Sequence, residues 1–316
     1  MEAVTRRRFL ETVVAVGAIA GTAPHSLAEA QAPGFHGTLC FFSKHLPRLD
    51  GRGLARVLKP LGFGGVDLTV RPKGHIEPAR VAEDLPVFVN AIRQEGLAVP
   101  MITTDLTSVA DPAAVPTLQT AAALKIPYFK PGYYFYAFKD VRAEVATAAE
   151  KVRALAALSA RHGVHLGFHN HSGYVGGNIW DIAATIDALP AKTAGYYFDI
   201  RHAVVEGGDG GWKQAFNIAA PRLSMLALKD FFWEKTATGA RIRNCPMGEG
   251  MVNWKAFFAL LAKTNFAGPV SLHLEYEVPG GTPEAVQENT IDAAAKDIAF
   301  VKKHLAEAYA AAPAKL

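Results

Sequence analysis

Short runs rich in β-branched, aromatic and other apolar residues alternate along this chain with longer segments of helical periodicity. The short runs are GTLCFF (37–42), FGGVDLTV (63–70), AVPMITT (98–104), PYFKPG (127–132), VHLGFHN (164–170), AGYYFDI (194–200), LSMLALKD (223–230) and GPVSLHLEY (268–276). Among the helical segments the clearest are 78–96, 140–163 and 283–310, each bounded by Gly, Pro or Asp. A strand followed by a helix, repeated eight times, predicts parallel strands with the helices outside. Eight such units close into a single-domain α/β fold, a (β/α)8 TIM barrel, over residues 31–316. No GxGxxG follows the first strand, which argues against a dinucleotide site.

Residues 1–30 stand outside this alternation. Arg6 and Arg7 precede Phe9 and Leu10, an apolar run from Val13 to Ala20 follows, and Ala28 and Ala30 give an A-x-A cleavage pattern. That is the pattern of a twin-arginine signal peptide, with an apolar run too short for a permanent anchor. It predicts a periplasmic or otherwise exported protein with no stable membrane anchor after cleavage. The segment carries three basic residues (Arg6, Arg7, Arg8) and three acidic ones (Glu2, Glu11, Glu29), so the net charge of +4 survives its removal. A charge this mild, with no Lys/Arg stripe, speaks against nucleic acid as a partner. The two cysteines, Cys40 and Cys245, read as free thiols rather than a disulfide scaffold.

Polar residues gather where the predicted strands end: His169 with Asn170 and His171, Asp199 with His202, Lys229 with Asp230, and His273 with Glu275. In a barrel of this kind the carboxyl ends of the strands form the active face, so four consecutive strands aim these groups at one cavity. Taken singly, Asp-x-x-His is a capped loop, Glu275 a partner for Lys229, and His169 a rim imidazole bonded to backbone. Taken together they crowd ionisable groups at one end of one barrel, which is expensive without a function. Mixed imidazole and carboxylate donors suit Zn²⁺, Mn²⁺, Fe²⁺ or Co²⁺ better than Ca²⁺. Further candidates for the pocket are Arg71 and His75 after the second strand, and Lys130, Tyr133 and Tyr134 after the fourth. RNCPMGEGMVNW reads as a Gly-rich loop after the seventh strand.

On these motifs the chain resembles the xylose isomerase-like TIM barrels, the sugar isomerases and epimerases related to endonuclease IV, across nearly the whole mature sequence. The resemblance implies a divalent metal at the barrel mouth, with His169, Asp199, His202 and Glu275 at the ligand positions. Two departures stand out. Where many relatives read His-x-Lys-Asp on the seventh strand, this chain reads ALKD, with Ala227 in place of the ligand. Where relatives that epimerise sugars use two glutamates for proton transfer, the first of the pair is His169 here.

The reading that follows is a metal-dependent sugar isomerase or epimerase, working next to a carbonyl through an enediolate. Glu275, Lys229 and His171 are its candidate catalytic residues, and Arg71, His75, Lys130 and His273 its candidate substrate contacts. Lys229 lies two residues past Ala227 on the same inward face, placed to stabilise an enolate oxygen. The expected partner is a small-molecule carbohydrate, and the sequence leaves a homo-oligomer open. A metal-dependent lyase or hydratase is the alternative, because one carboxylate with one acid suffices to expel a β-substituent. A non-catalytic exported sugar-binding barrel is another. A nuclease conflicts with export, charge and the missing histidine.

Overall fold

The computed structural model describes residues 34–312, so the twin-arginine signal assigned to residues 1–30 lies outside the described residues. Eight parallel strands close a barrel: β1 (Leu39–Phe42), β2 (Gly65–Val70), β3 (Ala98–Thr104), β4 (Tyr128–Lys130), β5 (His165–His169), β6 (Ala194–Asp199), β7 (Leu223–Leu228) and β10 (Val270–Leu272). Around the ring β1 pairs with β2 and with β10, β10 pairs with β7, and the remaining strands follow in chain order. Helices α1 (Gly51–Leu61), α2 (Val81–Gln94), α3 (Ala114–Ala123), α4 (Val141–Arg161), α5 (Trp180–Ala188), α6 (Ile200–Ala219), α7 (Trp254–Lys263) and α8 (Pro283–Ala311) each follow a barrel strand. The alternation in the sequence is thus the alternation in space.

Local chemistry explains several boundaries. Asp50, Asp140 and Thr282 cap α1, α4 and α8 by accepting backbone N–H bonds from Gly53, Ala143 and Ala285, and Pro283 opens α8 where no N–H is needed. Gly208 breaks α6 into two segments at a positive φ of 59°, a conformation glycine adopts without strain. The apolar core fills the layer between strands and helices. Inside the barrel a small cluster of Met101, Tyr197, Met225 and Ala227 sits beside a fully buried carboxylate, Asp67. Thr103 Oγ1, Tyr197 OH and Ser271 Oγ donate to Asp67 at 2.8, 3.0 and 2.8 Å. Cys40 and Cys245 are buried and unpaired, as expected. Among the described residues no helix is long and apolar enough to cross a membrane.

The seventh unit departs from the sequence expectation. The strand expected over 223–230 stops at Leu228, and a two-stranded antiparallel hairpin follows, β8 (Asp230–Thr236) and β9 (Gly239–Cys245). Alternating residues such as Ile242 and Arg243 carry the ladder, and only the stretch after Cys245 is the Gly-rich loop. Asp230 holds that loop. Its buried carboxylate accepts from the backbone N–H of Phe231, Gly248, Gly250 and Val252 at 2.8, 3.0, 3.2 and 3.3 Å, and from Trp254 Nε1 at 2.7 Å. A side chain at Gly250 would collide with that carboxylate.

A second buried acid, Asp297 of α8, accepts from Tyr276 OH at 2.9 Å and from Met247 N at 3.1 Å, tying the helix to the same loop. Burial pushes its carboxyl up to about 6, against the opposing pull of those two bonds. Between the unfolded value of about 3.9 and this folded value the native state binds the extra proton, so stability falls as pH rises through that window. Replacing Asp297 by Asn removes this dependence. Relative to wild type, the variant should gain stability from pH 4 to pH 7, by at most roughly 3 kcal/mol, as read from urea midpoints at each pH.

Candidate active site

The carboxyl ends of the barrel strands surround a cavity of about 300 Å³ lined by Phe42, Lys44, Arg71, Lys130, Tyr133, His169, His171, Arg201, His202, Lys229, Asn244, His273 and Glu275, with Thr103 and Tyr197 deeper in the barrel. Asp199 stands behind this wall, fully buried. It ends β6 and is the N-cap of α6: Oδ1 accepts from His202 N at 3.1 Å. The spacing of Asp-x-x-His is therefore the spacing from a helix cap to the third helical residue. The positive end of the helix also favours the carboxylate.

The other oxygen of Asp199 faces cationic and imidazole nitrogen. Lys229 Nζ lies 3.1 Å from Oδ2, His169 Nε2 3.2 Å and His202 Nε2 3.7 Å. Burial alone would raise the Asp199 carboxyl, but Lys229, His202 and His169 outweigh it and hold the group well below the usual carboxylate range. Asn170 fixes the strand ends: Nδ2 donates to Asp199 O at 3.0 Å and Oδ1 accepts from Asp199 N at 2.7 Å. His171 lies close against His202, with ring centroids 3.8 Å apart and the planes tilted by 40°. Burial, and then the nearby Lys229 ammonium, depress the His171 imidazole to about 4.

Across the cavity Glu275 forms a second pole. Lys44 Nζ donates to both of its oxygens at 2.8 and 2.7 Å, and His273 Nδ1 lies 3.6 Å away. Burial would raise this carboxyl; His273, Lys229 and Lys44 together pull it well below its ordinary value. His273 stacks on Phe42 with centroids 4.3 Å apart and reaches Tyr197 OH and Ser271 Oγ, each at 3.1 Å. Lys130 lies over the Tyr133 ring, 3.4 Å from its centroid, and burial followed by Arg71 pushes its ammonium well below the usual lysine range.

Most residues singled out in the sequence converge here: His169, His171, His202, Lys229, Arg71, Lys130, His273 and Glu275 all line the cavity. Three points need correction. His75 is not a cavity residue; Thr69 Oγ1 at 3.1 Å and Leu46 O at 3.3 Å engage its ring nitrogens, and it packs on Phe88. Lys229 pairs with Asp199, and the partner of Glu275 is Lys44. Tyr134 leaves the rim and is buried against Phe168. Lys44, Arg201 and Asn244 also line the cavity and are not among the sequence candidates. Lys44 follows the end of β1, the same positional signal that marked the other residues, whereas Asn244 lies on the unforeseen hairpin.

A divalent ion needs several donors close together, and one group at this wall has them. Donor atoms of His169, Asp199 and His202 lie within 4.8 Å of one another, and His202 Nε2 is buried without a hydrogen-bond partner. Two imidazoles and a carboxylate in that proximity fit such an ion. Glu275, the fourth candidate ligand, is outside this group.

The sequence pattern of the xylose isomerase-like TIM barrel matches residues 55–304. No curated protein matches the sequence. Among solved structures, D-allulose 3-epimerase from Methylomonas sp. in complex with D-allulose is similar, with TM-score 0.63 and 15% identity over 85% of this chain and 98% of that one. A probable 3-DHS dehydratase from Bacillus anthracis gives TM-score 0.61 and 14% identity over 80% and 97%. A xylose isomerase-like TIM barrel protein from Mycobacterium smegmatis in complex with magnesium gives 0.59 and 15% over 85% and 98%. At these identities the likeness is one of fold.

The Asn170 clamp yields a direct test. Asn170→Ala strips two buried backbone groups of Asp199 of their partners, each worth about 1–3 kcal/mol. A loss of roughly 2 kcal/mol or more in unfolding free energy is expected, measured by urea denaturation.

Proposed function

Because the chain belongs to the xylose isomerase-like TIM barrel family, we propose that it is a sugar isomerase or epimerase, moving a proton next to the carbonyl of a carbohydrate through an enediolate. The observation that carries this reading is the charge of the cavity. Five basic side chains, Lys44, Arg71, Arg201, Lys229 and the strongly depressed Lys130, line about 300 Å³ against a single lining carboxylate, Glu275. A space of that size suits a small molecule. So positive a lining, held rigid by packing, stabilises negative charge that develops on a substrate oxygen.

Within this reading Glu275 is the base. Its side chain keeps 24% exposure, whereas that of Asp199 has none, so of the two it is the one a ligand can touch. Lys44 and His273 hold the carboxylate ionised and oriented. Lys229 faces the developing oxyanion, and His171, neutral at physiological pH, passes the second proton. Arg71, Lys130 and His273 bind hydroxyl groups of the sugar. A divalent ion held by His169, Asp199 and His202 would supply Lewis-acid polarisation of the carbonyl.

A lyase is the second reading, favoured by the single lining carboxylate: one base abstracts the proton and an imidazole or ammonium protonates a departing β-substituent. Both readings begin with the same proton abstraction and diverge in the product.

Incubation of the purified protein with a panel of keto-sugars in D₂O tests the shared step. Deuterium is expected next to the carbonyl with wild type and absent with Glu275→Gln. Lys229→Met should slow exchange by about 10² or more, as loss of a preorganised charge does. No exchange into any sugar by wild type, with or without added metal, would overturn the reading. Release of a substituent in place of an epimer would favour the lyase.

Export through the twin-arginine route belongs to the same proposal, supported by the Arg6–Arg7 pattern and the A-x-A site. Changing both arginines to lysine should retain the protein in the cytoplasm, as followed by cell fractionation; undiminished periplasmic delivery would count against it.

A further inference from the structure

Both oxygens of Asp199 are already committed. Oδ1 accepts from His202 N at 3.1 Å, and Oδ2 has the Lys229 ammonium at 3.1 Å and His169 Nε2 at 3.2 Å. Lys229 is 4% exposed and Asp199 fully buried, so this ion pair is little screened by solvent. Ala227 lies directly across the strand register from Asp199 and brings a methyl group, while Lys229, next on that face, brings the charge. Glu275 offers no relief, being taken by Lys44.

The ring opposite points the same way. Arg201 Nη1 lies 2.9 Å and Ser172 Oγ 2.8 Å from His202 Nδ1. A guanidinium has donors only, so the neutral ring accepts there and carries its proton on Nε2, the atom turned toward Asp199. A metal-bound imidazole ordinarily gives its second N–H to an acceptor; Ser172 Oγ can be one, but Arg201 Nη1 opposes that arrangement at the same nitrogen. The group of His169, Asp199 and His202 is thus arranged around protons and an ammonium.

Resting on the reading that this group takes a divalent ion, we infer that Lys229 is a tethered competitor of that ion: ammonium and metal contend for Asp199 Oδ2, and Lys229 thereby sets the affinity of the site. Two like charges cannot share one buried carboxylate oxygen without strong repulsion. Metal binding must therefore displace the ammonium, and its cost lowers the affinity below what the three donors would give with an uncharged residue at position 229.

Titration calorimetry of the purified chain with Zn²⁺ and with Mn²⁺ tests this on wild type, Lys229→Met, Lys229→Gln and Lys229→Arg. Met and Gln should bind either ion roughly 10-fold or more tightly than wild type, and Arg, which keeps the charge, should not. Adding Asp199→Asn to Lys229→Met should abolish the gain. Removing one partner of a buried ion pair destabilises the fold, and Gln keeps a donor for Asp199 as the milder variant. Melting temperature gives an independent readout: Zn²⁺ should raise that of the Met and Gln variants more than that of wild type. Equal or weaker binding in both neutral variants overturns the inference and leaves the metal reading intact. Absence of binding in every variant removes both, while proton exchange still judges the enediolate reading by itself.

Discussion

Everything at the mouth of this barrel depends on how one buried carboxylate, Asp199, is kept charged. An isolated carboxylate in a dry interior would take up a proton. Here the start of α6 gives it a helix cap and the favourable end of the helix dipole, and Lys229 and two imidazoles surround the remaining oxygen. Each of those partners comes from a different strand or the helix that follows it. The closure of β5, β6 and β7 against one another and the satisfaction of the charge are one problem with one solution. Asn170 shows how tightly the two are joined, since its amide reads both backbone groups of Asp199 and sets the end of β5 against β6.

A site held this way has its own electrostatic character. The lysines, arginines and imidazoles crowd together, and His171 is pushed to about 4 by burial and then by Lys229. Imidazoles kept neutral at physiological pH can accept a proton or bind a metal but do not add to the positive field, which the lysines and arginines therefore supply. Where the seventh strand of many relatives would place a histidine, this chain has Ala227, and the charge nearest Asp199 Oδ2 is the Lys229 ammonium. The resemblance implied a metal with four ligands; the geometry gives three donors and an ammonium among them.

The barrel was legible because each strand and helix carries its own periodicity and punctuation, and eight alternations leave few ways to close. The residues that line the cavity were legible for a related reason: a polar residue where an apolar strand ends has few explanations in this fold. Partners were not legible. Nothing in the order of residues says that Lys44, 231 positions from Glu275, meets it across the closure of β1 on β10, because that neighbourhood exists only once the ring is shut. His75 failed for a local reason, since Thr69 and the Leu46 carbonyl capture its ring before it can reach the cavity. The hairpin was missed because one residue, Lys229, separates it from β7, so the two strands read as one run.

The two carboxylates divide the work by burial. Asp199 is sealed and shares its charge among partners fixed around it. Glu275 follows a three-residue strand, lies past its last ladder pair, and remains partly exposed under Lys44. The proposed role of Glu275 in giving and taking a proton needs that freedom, whereas a group that anchors charge needs its absence. A larger groove of about 680 Å³ shares the Tyr133 wall, but neither Asp199 nor Glu275 nor any histidine lines it. Volume alone would favour that groove. The smaller cavity is where a carboxylate a ligand can reach, basic side chains and neutral imidazoles meet, and the proposed function rests on that coincidence.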